Sequence, residues 1–125
     1  MHPVYVHIKK ELSPFYAEEE ASAMAKWISS DILHLSTLEL YTGKDMNFST
    51  KEWAELEDIL RRLKQREPLQ YILQEASFCG MSFHVEQGVL IPRPETEELV
   101  EWIVSDYREA GQVRILDIGT GSGCI

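Results

Sequence analysis

Cysteine is scarce: Cys79 and Cys124 are the only two among 125 residues. Two thiols without metal-ligand spacing exclude a disulfide framework and a zinc site, and a reducing, cytoplasmic setting is the default expectation. No apolar run approaches the roughly 18 residues a membrane span needs. The opening "MHPVYVHIKKELSP" has no long apolar stretch after its few charges, so no secretory signal is expected. Positive charge is also short. Residues 1–74 hold nine Lys/Arg against twelve Asp/Glu, and residues 75–125 hold three against nine, for a net charge of -9. Such a surface repels phosphate backbones and argues against direct nucleic-acid binding. The one basic cluster, Arg61, Arg62, Lys64 and Arg66, is interleaved with leucines on a single helix, the pattern of a solvated face.

What is present divides into two styles of sequence. The first is helical. Val4, Ile8 and Leu12 recur every four residues ahead of Ser13-Pro14. A longer helix is expected from about Tyr16 to Leu35, with an inner stripe of Met24, Trp27, Ile28, Ile32 and Leu35. "STLELYTG" reads as a turn or two of helix ending at Gly43. In "NFSTKEWAELEDILRRLKQREP", Ser49 and Glu52 form a capping box and Phe48 can staple onto Trp53. Trp53, Leu56, Ile59, Leu60 and Leu63 then share one face, and Pro68 is expected to stop the helix. "PLQYIL" is read as one further short turn. Elements of this length imply a small helical bundle whose Trp and Met residues belong to its core.

The second style begins near Glu75. "ASFCGMSFHVEQGVLI" alternates apolar and polar residues around Cys79-Gly80-Met81, a hairpin pattern that Gly88, Pro92 and Pro94 interrupt. His84, with no second ligand beside it, is read as a surface strand residue. "PETEELVEWIVSDYREAG" is a helix that starts at Pro94 and stops at Gly111, with Leu99, Trp102, Ile103 and Tyr107 on its apolar face. "VRILDI" is nearly all apolar, as a buried parallel strand would be. It runs through Asp117 into Gly119, Gly121 and Gly123, the strand–loop–helix turn of a nucleotide-type site. Three ligand classes compete for such a loop. A P-loop would need a lysine that does not follow, and a dinucleotide fingerprint would need glycine where Cys124 stands. The observed spacing, Asp-x-Gly-x-Gly-x-Gly, fits neither, and the third class enters only through a resemblance. A glycine-rich turn without ligand is the plain alternative.

That spacing resembles motif I of class I S-adenosylmethionine-dependent methyltransferases. With "PLQYIL", "GVLIPRPETEELV" and "LDIGTGSG" in order, the stretch from about Arg66 onward resembles the HemK/PrmC family of protein-glutamine methyltransferases. Residues 1–65 fit by helix count and position. The fold this implies is mainly α: residues 1–74 a helical substrate-recognition domain, 75–92 a β-hairpin linker, and 93–125 the first helix and strand of a Rossmann-like methyltransferase domain cut short. Gln74 departs from the family, which usually carries glycine there.

The resemblance implies S-adenosylmethionine as cofactor, held by Gly119, Thr120, Gly121, Ser122 and Gly123, with Asp117 bracing the loop from below. It implies peptide-chain release factors as partners, modified on the glutamine amide of their Gly-Gly-Gln motif. Arg93 and Glu95 of "IPRPETE" are expected either to order the edge of the catalytic pocket or to form an ion pair at the helix start. No catalytic residue is expected within residues 1–125, because the family's Asn-Pro-Pro-Tyr motif and its ribose-binding acid would lie further along. The chain is therefore expected to be a piece of a larger enzyme, inactive by itself. Another class I methyltransferase, a helical protein-interaction domain, and a structural cap are the alternatives.

Overall fold

The computed structural model describes residues 1–43 and 47–125, which form two compact units, Met1–Leu69 and Gln70–Ile125. The first unit holds α1 (Pro3–Leu12), α2 (Glu18–Asp31), α3 (Thr37–Thr42) and α4 (Thr50–Lys64). A short α5 (Leu69–Leu73) straddles the division. The second unit continues with β1 (Glu75–Phe78), β2 (Met81–His84) and α6 (Pro94–Tyr107).

In the helical unit α1 packs on α2 and α4. Ile8 and Leu12 of α1, Ala25 and Ile28 of α2, and Leu56, Leu60 and Leu63 of α4 are all fully or almost fully buried. Apolar area removed from water at this density is the main favourable term for so small a unit. Of the expected α2 stripe, Met24, Ile28 and Leu35 are buried, but the regular spacing is interrupted where the helix ends. The helix stops at Asp31 with Ile32 as its C-cap, so Ile32 is half-buried and Leu33 turns into the core instead. Trp27 is half-buried because its indole N–H donates to Asp31 Oδ2 (2.7 Å) at the rim of the helix.

The expected capping box forms: Ser49 Oγ accepts from the Glu52 N–H, and Glu52 Oε2 accepts from the Ser49 N–H. Phe48 meets Trp53 edge-on, centroids 6.0 Å apart. That staple draws Trp53 off the core stripe and leaves it 40% exposed. An equivalent box, Ser36 with Glu39, opens α3, and Gly43 closes it. The α4 helix ends before Pro68. Gln65 caps it, and Arg66 takes a left-handed φ of 66°, turning the chain out of the helix two residues earlier.

In the second unit β1 and β2 pair antiparallel, Phe78 opposite Met81 and Glu75 opposite His84. The two-residue loop has positive φ at both Cys79 (49°) and Gly80 (72°), as the tight mirror-image hairpin turn requires. Ala76 and Phe78 face inward, with Phe78 edge-on to Phe83, while Ser82 donates to Glu75 on the polar face. His84 is exposed, as expected of a surface strand residue.

The apolar face of α6 at Leu99, Trp102, Ile103 and Tyr107 is uncovered: the helix has no buried residue, and Trp102 is 67% exposed. The stretch "VRILDI", expected as a parallel strand and, without its partner strands, as an unpaired apolar edge, is not a strand. Residues 113–118 are irregular and exposed, Leu116 to 83%. A strand exists only through ladder bonds to a neighbour, and the second unit's described strands pair only with each other.

Gln74 sits at φ 56°, the left-handed region in which glycine is favoured, and its carbonyl accepts from the Val85 N–H (3.3 Å). A side chain there costs about 1–2 kcal/mol, while glycine costs about 0.4–1 kcal/mol in unfolded-chain entropy. Gln74→Gly should therefore raise stability by up to about 1 kcal/mol. A thermal melt showing a lower midpoint would contradict the strain argument.

Candidate functional site

The glycine loop is built entirely from backbone conformation. Gly119, Gly121 and Gly123 have φ of 73°, 57° and 80°, a left-handed residue at every second position. The Gly123 N–H donates to the Thr120 carbonyl (2.9 Å), closing a turn around Gly121 and Ser122. A Cβ built on any of the three glycines meets nothing within 4 Å. These glycines are thus needed for conformation rather than for room within the chain, and the backbone lies open for close approach. Asp117 is exposed, and among the described residues no hydrogen bond ties it to the loop above it.

Arg93 is the N-cap of α6 and Pro94 its first residue, so the helix starts where the sequence puts it. The alternative ion pair between Arg93 and Glu95 is not formed; among the described residues neither is in a salt bridge and both are exposed. Two other side chains, unsuspected from sequence, tie this unit together. Glu97 Oε1 accepts from the Cys79 N–H (3.0 Å), and the Tyr71 hydroxyl donates to the Val89 carbonyl (2.6 Å). No sequence signal marks Glu97: in a two-residue hairpin the N–H of the first loop residue points away from the ladder, but water serves such a donor as well as a side chain does. A groove beside the hairpin tip is lined by Cys79, Gly80 and one stripe of α6, Glu97, Val100, Glu101 and Val104. Burial raises the Cys79 thiol pKa, and Glu97 and Glu101 push the same way, so the thiol stays protonated.

On the helical unit the basic cluster is internally engaged. Arg61 pairs with Asp58, Arg62 pairs bidentately with Glu67, Lys64 pairs with Glu11, and the Arg66 guanidinium lies 4.8 Å from the centre of the Tyr16 ring. The Tyr16 hydroxyl donates to the Leu63 carbonyl, tying the α1–α2 connection to the end of α4. This is the solvated face that the sequence suggested, with each cation provided for. A separate groove between α2 and α3 is lined by Lys26, Trp27, Ser30, Leu35 and Leu40, and beside it Leu38 and Tyr41 are exposed.

Three carboxylates on this unit are held below the ordinary value of 4.5: Glu11 by its hydrogen bond from Lys64, Glu52 by Ser49, and Glu67 by Arg62. Each folded pKa lies under its unfolded one. Their contribution is therefore present above about pH 4.5 and is lost as pH falls through the folded values. The thermal midpoint should drop between about pH 6 and about pH 3; a flat profile would show these contacts to be inconsequential.

The family model described as PrmC N-terminal domain matches residues 5–73. The release factor glutamine methyltransferase of Bacteroides thetaiotaomicron is 47% identical over 125 residues, which is 100% of this chain and 44% of that protein. Those of Flavobacterium psychrophilum and Geobacter sulfurreducens are 39% and 42% identical, over 91% and 86% of this chain and 41% and 37% of their own lengths. The chain thus spans less than half the length of the curated relatives it matches.

Proposed function

The chain belongs to the PrmC N-terminal domain family, and from that premise we propose that it is part of an S-adenosylmethionine-dependent methyltransferase acting on the glutamine amide of release factors. One observation carries the reading: the match to a release factor glutamine methyltransferase, 47% identical, covers all 125 residues of the chain. The open cradle of Gly119, Gly121 and Gly123 fits a cofactor that must lie against backbone.

In this reading residues 1–74 recognise the protein substrate, 75–92 link, and 93–125 begin the catalytic domain. S-adenosylmethionine supplies an electrophilic methyl group on its sulfonium sulfur. Gly119, Thr120, Gly121, Ser122 and Gly123 would hold the cofactor along their open backbone; Asp117, exposed and, among the described residues, without a hydrogen bond to the loop, does not take the bracing role. An amide nitrogen is a weak nucleophile because its lone pair is delocalised, so it needs acceptors set against it; in the HemK/PrmC family an Asn-Pro-Pro-Tyr motif fills that role, and residues 1–125 do not contain one. Residues 1–125 alone are then expected neither to transfer methyl groups nor to bind cofactor at micromolar concentration.

For substrate recognition the surface to test is the Arg61–Arg66 face: charge reversal there in the complete gene product should raise the apparent KM for release factor, and no change would count against that face. The test is transfer of labelled methyl from S-adenosylmethionine to a release factor by the complete gene product. Labelled release factor is the expected result, and none, with the protein folded, would refute the reading. A pull-down of release factor by the helical unit separates recognition from a merely structural cap.

A further inference from the structure

We propose that Tyr71 and Glu97 are positioning residues which together fix the segment Val89–Glu97, a role that rests on the methyltransferase reading above. The segment lies between two tethers. At its start the Val89 carbonyl accepts from the Tyr71 hydroxyl of α5 (2.6 Å), just after a turn in which the Val89 N–H donates to Glu86 (2.9 Å). At its end Glu97, in the first turn of α6, reaches back to the hairpin tip and accepts from the Cys79 N–H (3.0 Å).

Among the described residues, its other backbone hydrogen bond outside the helix ladder, from the Thr96 N–H to the Arg93 carbonyl (3.0 Å), is local. The segment has no ladder partner, contains two prolines that donate no N–H, and leads into a helix with no buried residue. Within residues 1–125 none of its residues is fully buried, so the two directed hydrogen bonds are the contacts that mark its path. Glu97 suits the task at both ends. Its carboxylate gains from the positive end of α6, and a charged acceptor makes a shorter, stronger bond than a neutral one. The donor it meets is one that the hairpin geometry leaves out of the ladder, at a residue held in left-handed conformation. Between the two tethers stand Arg93 and Glu95, exposed and without ion pairs among the described residues, in the stretch expected to border the catalytic pocket. A misplacement on the order of 1 Å there can cost about a hundredfold in rate.

The test uses the complete gene product. Glu97→Ala and Tyr71→Phe should each lower kcat per folded molecule by roughly tenfold or more, with KM for release factor within about twofold. Glu97→Gln keeps an oxygen acceptor and should restore most of kcat. Amide hydrogen exchange at Cys79 should accelerate in Glu97→Ala and stay near wild type in Glu97→Gln. That readout needs no methylation, so an inactive wild-type protein with these exchange changes would refute the enzymatic reading and leave the tether standing. Unchanged exchange in Glu97→Ala would overturn the tether. Faster exchange with wild-type kcat would overturn positioning, and failure of Glu97→Gln to restore kcat would assign Glu97 a role through its charge instead. Should Glu97→Ala not fold, Tyr71→Phe carries the kinetic test alone: wild-type kcat there overturns the proposal.

Discussion

Replacing Gly121 with valine in the complete gene product should weaken S-adenosylmethionine binding by about a hundredfold and reduce methyl transfer at least as much. Gly121 has φ 57°, and a Cβ there meets no atom of the chain. The cost is therefore conformational first: about 1–2 kcal/mol for an ordinary side chain in the left-handed region, and more for a β-branched one. At about 1.4 kcal/mol per tenfold, that alone gives one to two orders of magnitude. The open space beside Gly121 is also where a cofactor would approach the backbone, and valine would fill it. Gly121→Ala, which carries the strain without the branch, should lose only about tenfold. Because the loop is exposed and outside the core, the thermal midpoint should stay within a few degrees of wild type. Cofactor affinity that survives Gly121→Val, measured by calorimetric titration, would remove this loop from the binding site.

The second large effect concerns the helical unit. Leu60, on the inner stripe of α4, is 1% exposed. Leu60→Ala should cost about 2–5 kcal/mol, the loss of transfer energy together with a cavity that close-packed neighbours cannot collapse. For a unit of this size each kcal/mol moves the midpoint by about 4–8 °C, so a fall of roughly 10–30 °C is expected. Leu38→Ala is the control. Leu38 lies on α3 and is 73% exposed, so its removal should change stability by no more than about 0.5 kcal/mol. Equal losses for the two would mean that the burial pattern is wrong. Chemical denaturation followed by circular dichroism reads both.

The sequence announces the helical unit clearly because its signals are local. Capping at Ser49–Glu52, the recurrence of Val4, Ile8 and Leu12 every four residues, and the α4 stripe are each decided within about three turns of helix. Where local signals compete, periodicity misleads. Trp53 fits the α4 stripe but serves the Phe48 staple, and Ile32 fits the α2 stripe but falls where that helix has already ended. The hairpin is legible for the same reason, a two-residue turn between alternating segments. The strand expected at 113–118 is not realised, since a parallel strand is defined by neighbours that lie far away in sequence. The glycine loop is legible as a motif because conformation alone demands its glycines. The tethers at Tyr71 and Glu97 link residues 18 positions apart through single hydrogen bonds, and no periodicity reports such a contact.

The claim on which the account turns is that this chain belongs to an enzyme that alkylates an amide nitrogen. Its most direct test is tandem mass spectrometry of a release factor treated with the complete gene product and S-adenosylmethionine. A single added methyl group, located on the side-chain nitrogen of the Gly-Gly-Gln glutamine, is the predicted result. A methyl group on any other residue, or an unmodified glutamine after incubation with folded protein, would contradict it.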